Sequence, residues 1–230
     1  ISVVQSKVIS VDLWGDHAAF APPNGKLERT TPPAPTPSAI RGILSAIYSK
    51  PIEFYWQVVE IAVLNPIRYT SFKRNELQVV ASTQLINTNP EKAIICIEDN
   101  RTQRMTQVLK DVRYRVSAVI VPRPAYENRV EQLYQQAVRR IRGGKTFYQP
   151  SLGYREFDCY FEESDFTRQP IDVSMDLGLM TYDIFDLHDY EVRAHVQPKP
   201  SLYHAVMKKG VITVPPYDSD EVLKGGYSKC

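Results

Sequence analysis

Residues 36–51 read as one helix with both ends written into the chain. Thr36 suits an N-cap, and Pro37 takes the first helical position, where a missing N–H costs nothing. Pro51 bars continuation, because the residue before a proline is pushed out of the α region. Ile40, Ile43, Leu44 and Ile47 recur at i, i+3, i+4 and i+7 and form one apolar face. That face has to be buried on a sheet or another helix, and the flanking segments supply a sheet. Residues 3–13 are rich in β-branched side chains and lead to a turn at Trp14-Gly15-Asp16. Residues 53–64 form a second strand, stopped by Asn65-Pro66. The six prolines of residues 22–37 make the crossing between first strand and helix stiff and irregular.

The rest of the chain repeats the pattern. Residues 111–121 alternate, with Val112, Tyr114, Val116, Ala118 and Ile120 on one face and Arg113 and Arg115 on the other. Residues 127–142 give a second helix, striped by Val130, Leu133, Tyr134, Ala137 and Ile141. Residues 153–163 give a further strand. The order is strand, helix, strand, strand, helix, strand, the split β-α-β-β-α-β of ferredoxin-like and RRM domains, hence an α+β fold. More than forty residues separate Pro66 from Lys110, too many for a structureless loop. They are expected to form an inserted hairpin in which residues 79–86 pair with 93–97. Beyond residue 168 a small β-rich region is expected, with strands at 177–185 and 211–214. One or two helical turns at 203–210 and a mobile polar tail after Pro215-Pro216 complete it. The resulting boundaries are 1–168 for the RRM-like domain, with its insert at about 66–110, and 169–230 for the C-terminal region.

No stretch nears the roughly 18 apolar residues that span a membrane. No basic-then-apolar secretory start is present, and with a start at Ile1 instead of Met some N-terminal residues are expected to be missing or trimmed. The three cysteines lack metal-ligand spacing, and a cytoplasmic location is expected. The net charge is only +2, so nucleic-acid binding has to come from local clusters. Those clusters exist. Arg68, Lys73 and Arg74 flank one root of the insert, and Arg101, Arg104 and Lys110 the other. Arg139, Arg140, Arg142 and Lys145 surround Gly143-Gly144. This last group suits a phosphate, or equally the dipole of a helix C-terminus. The hairpin roots could equally be a solvated protrusion. Arg41 and Tyr48 lie seven residues apart, roughly 10 Å along one flank of the first helix. A cation and a phenol so placed suit a phosphodiester; the alternative is a Tyr48 that rims the core and an Arg41 in solvent.

The four histidines show no pairing at i, i+3 or i+4. Phosphate-binding glycine loops and the His-Glu-x-x-His and Gly-x-Ser-x-Gly motifs are missing. No metal or cofactor is expected. What remains is an RNA binder with aromatics and Arg/Lys clusters. If it cuts RNA, the 2′-hydroxyl attacks the adjacent phosphate, helped by a phenol or imidazole and a cation.

Several long stretches together resemble one family. They are residues 11–18, 36–51, 63–69, 73–76, Gln103-Arg104, 144–157 and 205–215, in order over nearly the whole chain. The chain is similar to the CRISPR-associated Cas-five family, type I-C (Dvulg) branch, of the RAMP superfamily. The resemblance implies a Cascade subunit that binds the 5′ handle of crRNA. It implies partners: the pre-crRNA repeat hairpin, a backbone subunit of Cas-seven type, a large subunit of Cas-eight type, and target DNA through the complex. It also implies metal-independent endoribonucleolytic processing of pre-crRNA, giving a 5′-hydroxyl and a cyclic phosphate. The tyrosine before a Lys-Pro in cleaving members matches Tyr48 before Ser49-Lys50-Pro51. Phosphate contacts are expected from Arg41, Lys50, Arg140, Arg142 and Lys145, and further RNA contacts from Lys73, Arg74, Arg104 and Arg155. One departure stands out. A Lys-His pair of some cleaving members falls near Glu131 and Gln132, and no Lys or His lies between Asp111 and Gly144. Either Arg129, Arg139 or Lys145 substitutes, or cleavage is weak or absent; the rival reading is a non-catalytic cap of the crRNA handle.

Overall fold

The structure, a computed structural model, describes residues 4–21, 29–80, 82–189 and 200–224. In chain order the elements are β1 (Ile9–Ala18), α1 (Pro37–Ile47), β2 (Phe54–Val63), β3 (Tyr69–Leu77), α2 (Thr83–Thr88) and α3 (Ile97–Asn100). They continue as β4 (Arg101–Pro122), α4 (Val130–Arg142), β5 (Tyr160–Glu163), β6 (Met175–Asp183), β7 (Ser201–Lys208) and β8 (Val211–Thr213). The strands form one sheet in the order β5-β1-β4-β2-β8-β7-β6, with β3 on the outer half of β4. Each of its first four members runs antiparallel to its neighbours, and they are connected through α1 and α4. This is the ferredoxin-like arrangement. Residues 112–120 are strand, and Val112, Tyr114, Val116, Ala118 and Ile120 are all buried, but the opposite face is covered as well: Arg115, Ser117, Val119 and Val121 are also buried. Ile40, Ile43, Leu44 and Ile47 of α1 and Leu133, Ala137 and Ile141 of α4 join the first five in one core.

Thr36 caps α1, its hydroxyl accepting the Ala39 N–H at 3.2 Å. Thr36→Ala should lower stability by about 1 kcal/mol, read as a shift of the urea midpoint at unchanged slope. The helix stops earlier than Pro51 predicts. Tyr48 is its C-cap and is extended (φ −150°, ψ 121°). Its ring packs on Phe54, with centroids 5.2 Å apart. The Trp56 indole N–H donates to its carbonyl at 2.8 Å. Seating the tyrosine in the core takes the chain out of the helix, so Arg41 and Tyr48 do not share a helical flank.

Other expectations are corrected by packing. Trp14-Gly15-Asp16 is not a turn but lies inside β1, and Gly15 pairs with Val112. A Cβ at Gly15 would meet the Asp158 carbonyl at 2.6 Å, so its glycine serves close approach. The hairpin strands are β3 and the outer half of β4. Residues 79–80, 82–86 and 93–97 belong to its tip, which holds α2, α3 and a 3-10 turn at Pro90–Ala93. Only residues 160–163 of 153–163 are strand. Gly153 (φ +90°) turns the chain against the Ala19 carbonyl, where no side chain fits. Residues 203–208 belong to strand β7, with Tyr203, Ala205 and Met207 buried and His204 exposed. Lys209 (φ 48°) and Gly210 (φ 77°) then turn the chain into β8. After Pro215-Pro216, Tyr217 and Val222 are buried, and Leu223 exchanges backbone hydrogen bonds with Leu202. Residues 1–3, 22–28 and 225–230, on which parts of the first-strand, proline-segment and tail expectations fall, lie outside the described residues.

Candidate active-site cleft

Where the end of α1 meets α4, an open cleft of about 440 Å³ is lined by Tyr48, Lys50, Arg129, Gln132, Leu133, Gln136, Arg140 and Phe147. This volume falls within the usual range of ligand sites, about 300–1,000 Å³. Hydrogen bonds and ion pairs fix its walls. Arg140 projects from α4, and its guanidinium donates to the Ile47 carbonyl at 2.5 Å, tying α4 to the last residue of α1. The Phe147 N–H donates to the Ala46 carbonyl at 2.7 Å. Lys50 and Arg129 both reach Glu53, at 2.9 and 3.2 Å. Arg129 also donates to the Gln132 amide oxygen at 3.3 Å.

Tyr48 is only 3% exposed, and its hydroxyl makes no hydrogen bond among the described residues. Burial raises the phenol pKa above its ordinary value. Lys50, Arg129 and Arg140 pull it back and Glu53 pushes it further up, so the net shift is upward. At neutral pH the phenol is therefore a proton donor. Lys50 and Arg129 share the one carboxylate of Glu53, so with Arg140 the cleft keeps a positive balance that can hold a phosphodiester and neutralise charge developing on it.

Of the expected site residues, Tyr48, Lys50 and Arg140 come together here. Arg41 lies elsewhere. Its guanidinium forms a two-pronged ion pair with Asp183 of β6, its Nε to one oxygen and its Nη2 to the other at 2.7 Å. It lines a second cavity of about 220 Å³ with Ser45, Ser49 and Phe185. Arg142 is held by both oxygens of Glu163, at 2.6 and 2.9 Å. Arg74 and Arg104 are opposite each other on the hairpin, the first paired with Glu156 at 2.6 Å and the second 3.7 Å from Glu76. Lys73, Lys145 and Arg155 are exposed and make no ion pair among the described residues. Of the possible substitutes for the Lys-His pair, Arg129 lines the cleft; Arg139, bonded to Gln136, and Lys145 do not. Gln132 also faces it, whereas Glu131 accepts the Gln135 amide at 2.8 Å.

Sequence reasoning placed Gln132 near the family's Lys-His position and missed Gln136 and Phe147 as lining residues. The helical spacing of Gln132, Gln136 and Arg140 at i, i+4, i+8 was the available signal. His188 and His204 pair with Asp218 and Asp176, both at 2.7 Å. His17 packs between the rings of Phe72 and Phe157. His195 lies outside the described residues. Among the described residues, no helix is long and apolar enough to cross a membrane.

Residues 8–215 match the family model described as CRISPR-associated protein (Cas_Cas5), of the Cas5d type. The "CRISPR pre-crRNA endoribonuclease Cas5d" of Mannheimia succiniciproducens is 37% identical, over 94% of this chain and 98% of its own. The protein of the same name from Thermus thermophilus is 35% identical, over 96% and 98%. Two solved structures share the fold. One is a CRISPR-associated protein (TM-score 0.66, 24% identity, 97% of this chain and 100% of that one). The other is a functionally uncharacterized protein of Streptococcus mutans (TM-score 0.64, 22% identity, 96% and 100%). The chain belongs to the Cas5d family of CRISPR-associated proteins.

Proposed function

We propose that this protein is a type I-C Cascade subunit that processes pre-crRNA in the Tyr48 cleft and then holds the 5′ handle of the product. The observation that carries the cleavage reading is the gathering of Tyr48, Lys50, Arg129 and Arg140 around one cleft. The names of the two relatives support the substrate. In the reaction, the 2′-hydroxyl oxygen attacks the adjacent phosphorus and the 5′-oxygen leaves. The products are a cyclic phosphate and a 5′-hydroxyl. The neutral Tyr48 phenol orients the 2′-hydroxyl as a hydrogen-bond donor, water takes the proton that leaves it, and water protonates the departing oxygen. Lys50, Arg129 and Arg140 stabilise the phosphorane. Arg129 and Arg140 thus stand in for the charge of the missing Lys-His pair, but nothing replaces its imidazole. Within Cascade the protein binds crRNA, a Cas-seven-type backbone subunit and a Cas-eight-type large subunit, and contacts target DNA through the complex.

The second reading, a non-catalytic cap of the handle, is favoured by one observation: no described residue lining the cleft is a histidine. The test is incubation of the protein with a labelled hairpin repeat RNA in EDTA, beside the same RNA carrying a 2′-deoxy substitution at the cut. Discrete cleavage blocked by the deoxy substitution is the expected result. Tight binding without cleavage would establish the cap.

Lys73, Lys145 and Arg155 carry charges without protein partners among the described residues, so they can neutralise phosphates. Hairpin affinity should fall as salt rises. Replacing any one of the three by alanine should reduce the log–log slope by about 0.7 to 0.9. Replacing Arg74 or Arg142, whose charges already meet Glu156 and Glu163, should change it less. Binding titrations across a salt series measure both.

A further inference from the structure

Phe147 lies at the cleft and remains 58% exposed. A loose surface phenylalanine would explain nothing, but this one is fixed on two sides. Its N–H is bonded to the Ala46 carbonyl. The Arg140 guanidinium lies 4.2 Å from its ring centroid and is itself tied to the Ile47 carbonyl. Ring and cation therefore keep a set position relative to the end of α1, where Tyr48 begins. An exposed, immobilised aromatic ring backed by a guanidinium and bordering a cationic cleft has the features of a base-stacking platform: the π-face takes the base and the cations take its phosphates.

We propose that Phe147, backed by Arg140, is the seat of one unpaired nucleobase next to the phosphodiester held in the cleft. The inference rests on RNA being the ligand of the Tyr48 cleft. Every base has a π-face, so the seat accepts purines and pyrimidines alike and selects an unstacked nucleotide by its shape. It thereby favours the junction between a hairpin stem and its single-stranded flank over continuous duplex.

The test uses the full chain and a hairpin repeat RNA made uncleavable by a 2′-deoxy substitution. 2-Aminopurine is placed in turn at each unpaired position. Binding should quench one position with the native protein and with Phe147→Trp, but not with Phe147→Leu. Phe147→Leu should weaken binding between about 5- and 100-fold. An abasic site at the quenched position should cost the native protein a similar factor and cost Phe147→Leu nothing further. If Lys50→Ala and Arg129→Ala weaken binding while no position depends on Phe147, the stacking seat is wrong and the cleft reading stands. If none of these variants affects binding, the cleft reading fails, and the seat with it.

Discussion

Tyr48→Phe should reduce RNA cleavage by about 5- to 100-fold, the loss of one orienting hydrogen bond of about 1–3 kcal/mol. The substitution isolates the hydroxyl. The ring of Tyr48 packs on Phe54 and its carbonyl accepts from Trp56; phenylalanine keeps both contacts. The hydroxyl makes no hydrogen bond among the described residues, so removing it breaks nothing in the fold. Hairpin affinity should stay within about twofold, because Lys50, Arg129 and Arg140 still face the phosphate. Single-turnover cleavage in EDTA, beside binding of the 2′-deoxy hairpin, reads both effects. Tyr48→Ala would confuse them, since emptying a buried aromatic site costs about 3–5 kcal/mol. The upward shift of the phenol also fixes the pH response. The donor persists through the neutral range, so cleavage should rise with pH as the 2′-hydroxyl loses its proton more readily. It should fall only beyond the ordinary phenol value of about 10. A fall near pH 7 would mean that a histidine is doing this work.

Arg41→Met should unfold the protein more easily, by about 3 kcal/mol, and should do so without RNA present. Arg41 looks like a phosphate ligand in the sequence, but its guanidinium grips both oxygens of Asp183, which is 1% exposed. Removing the arginine strands a carboxylate in the core, with the Phe185 N–H as a remaining donor. Breaking one side of a buried pair costs more than replacing both. The double variant Arg41→Met, Asp183→Leu should therefore regain part of the loss. Urea unfolding of the two single variants and the double variant completes the cycle. Equal stability of Arg41→Met and the native protein would mean that Asp183 is solvated, contrary to its burial.

These two residues show what the chain discloses before it folds. Arg41 lies in a helix, and Tyr48 just past its end; the helix start is legible from Thr36 and Pro37, because caps act within four residues. The strand pattern of residues 112–120 is legible for the same local reason. The end of α1 was not, because Tyr48 leaves the helix to meet Phe54 and Trp56, and nothing near it in sequence reports that contact. Residues 203–208 have spacings that suit a helical turn as well as a strand. Pairing with residues 175–183, more than twenty positions away, decides for strand. The cations divide in the same manner. Arg41, Arg74, Arg104 and Arg142 are visible as charges, whereas the acids that meet them are remote in sequence. Only Lys50 and Arg140 among the predicted phosphate ligands reach the cleft with Tyr48, and the fold brings Arg129 and Phe147 to join them.

β4 runs 22 residues without a break, its outer half in the hairpin and its inner half between β1 and β2. Asp111, at φ 54°, sits where the two halves meet. The sheet does not divide there: β1 pairs with Leu109 and Lys110 on one side of Asp111 and with Val112 on the other. Thr106, Val108 and Leu109, on its hairpin side, are buried. The root of the hairpin is thus part of the core, and only the stretch beyond Thr106, about five residues and roughly 16 Å long, projects from it. A load placed on that projection is passed by one continuous backbone straight into the centre of the sheet.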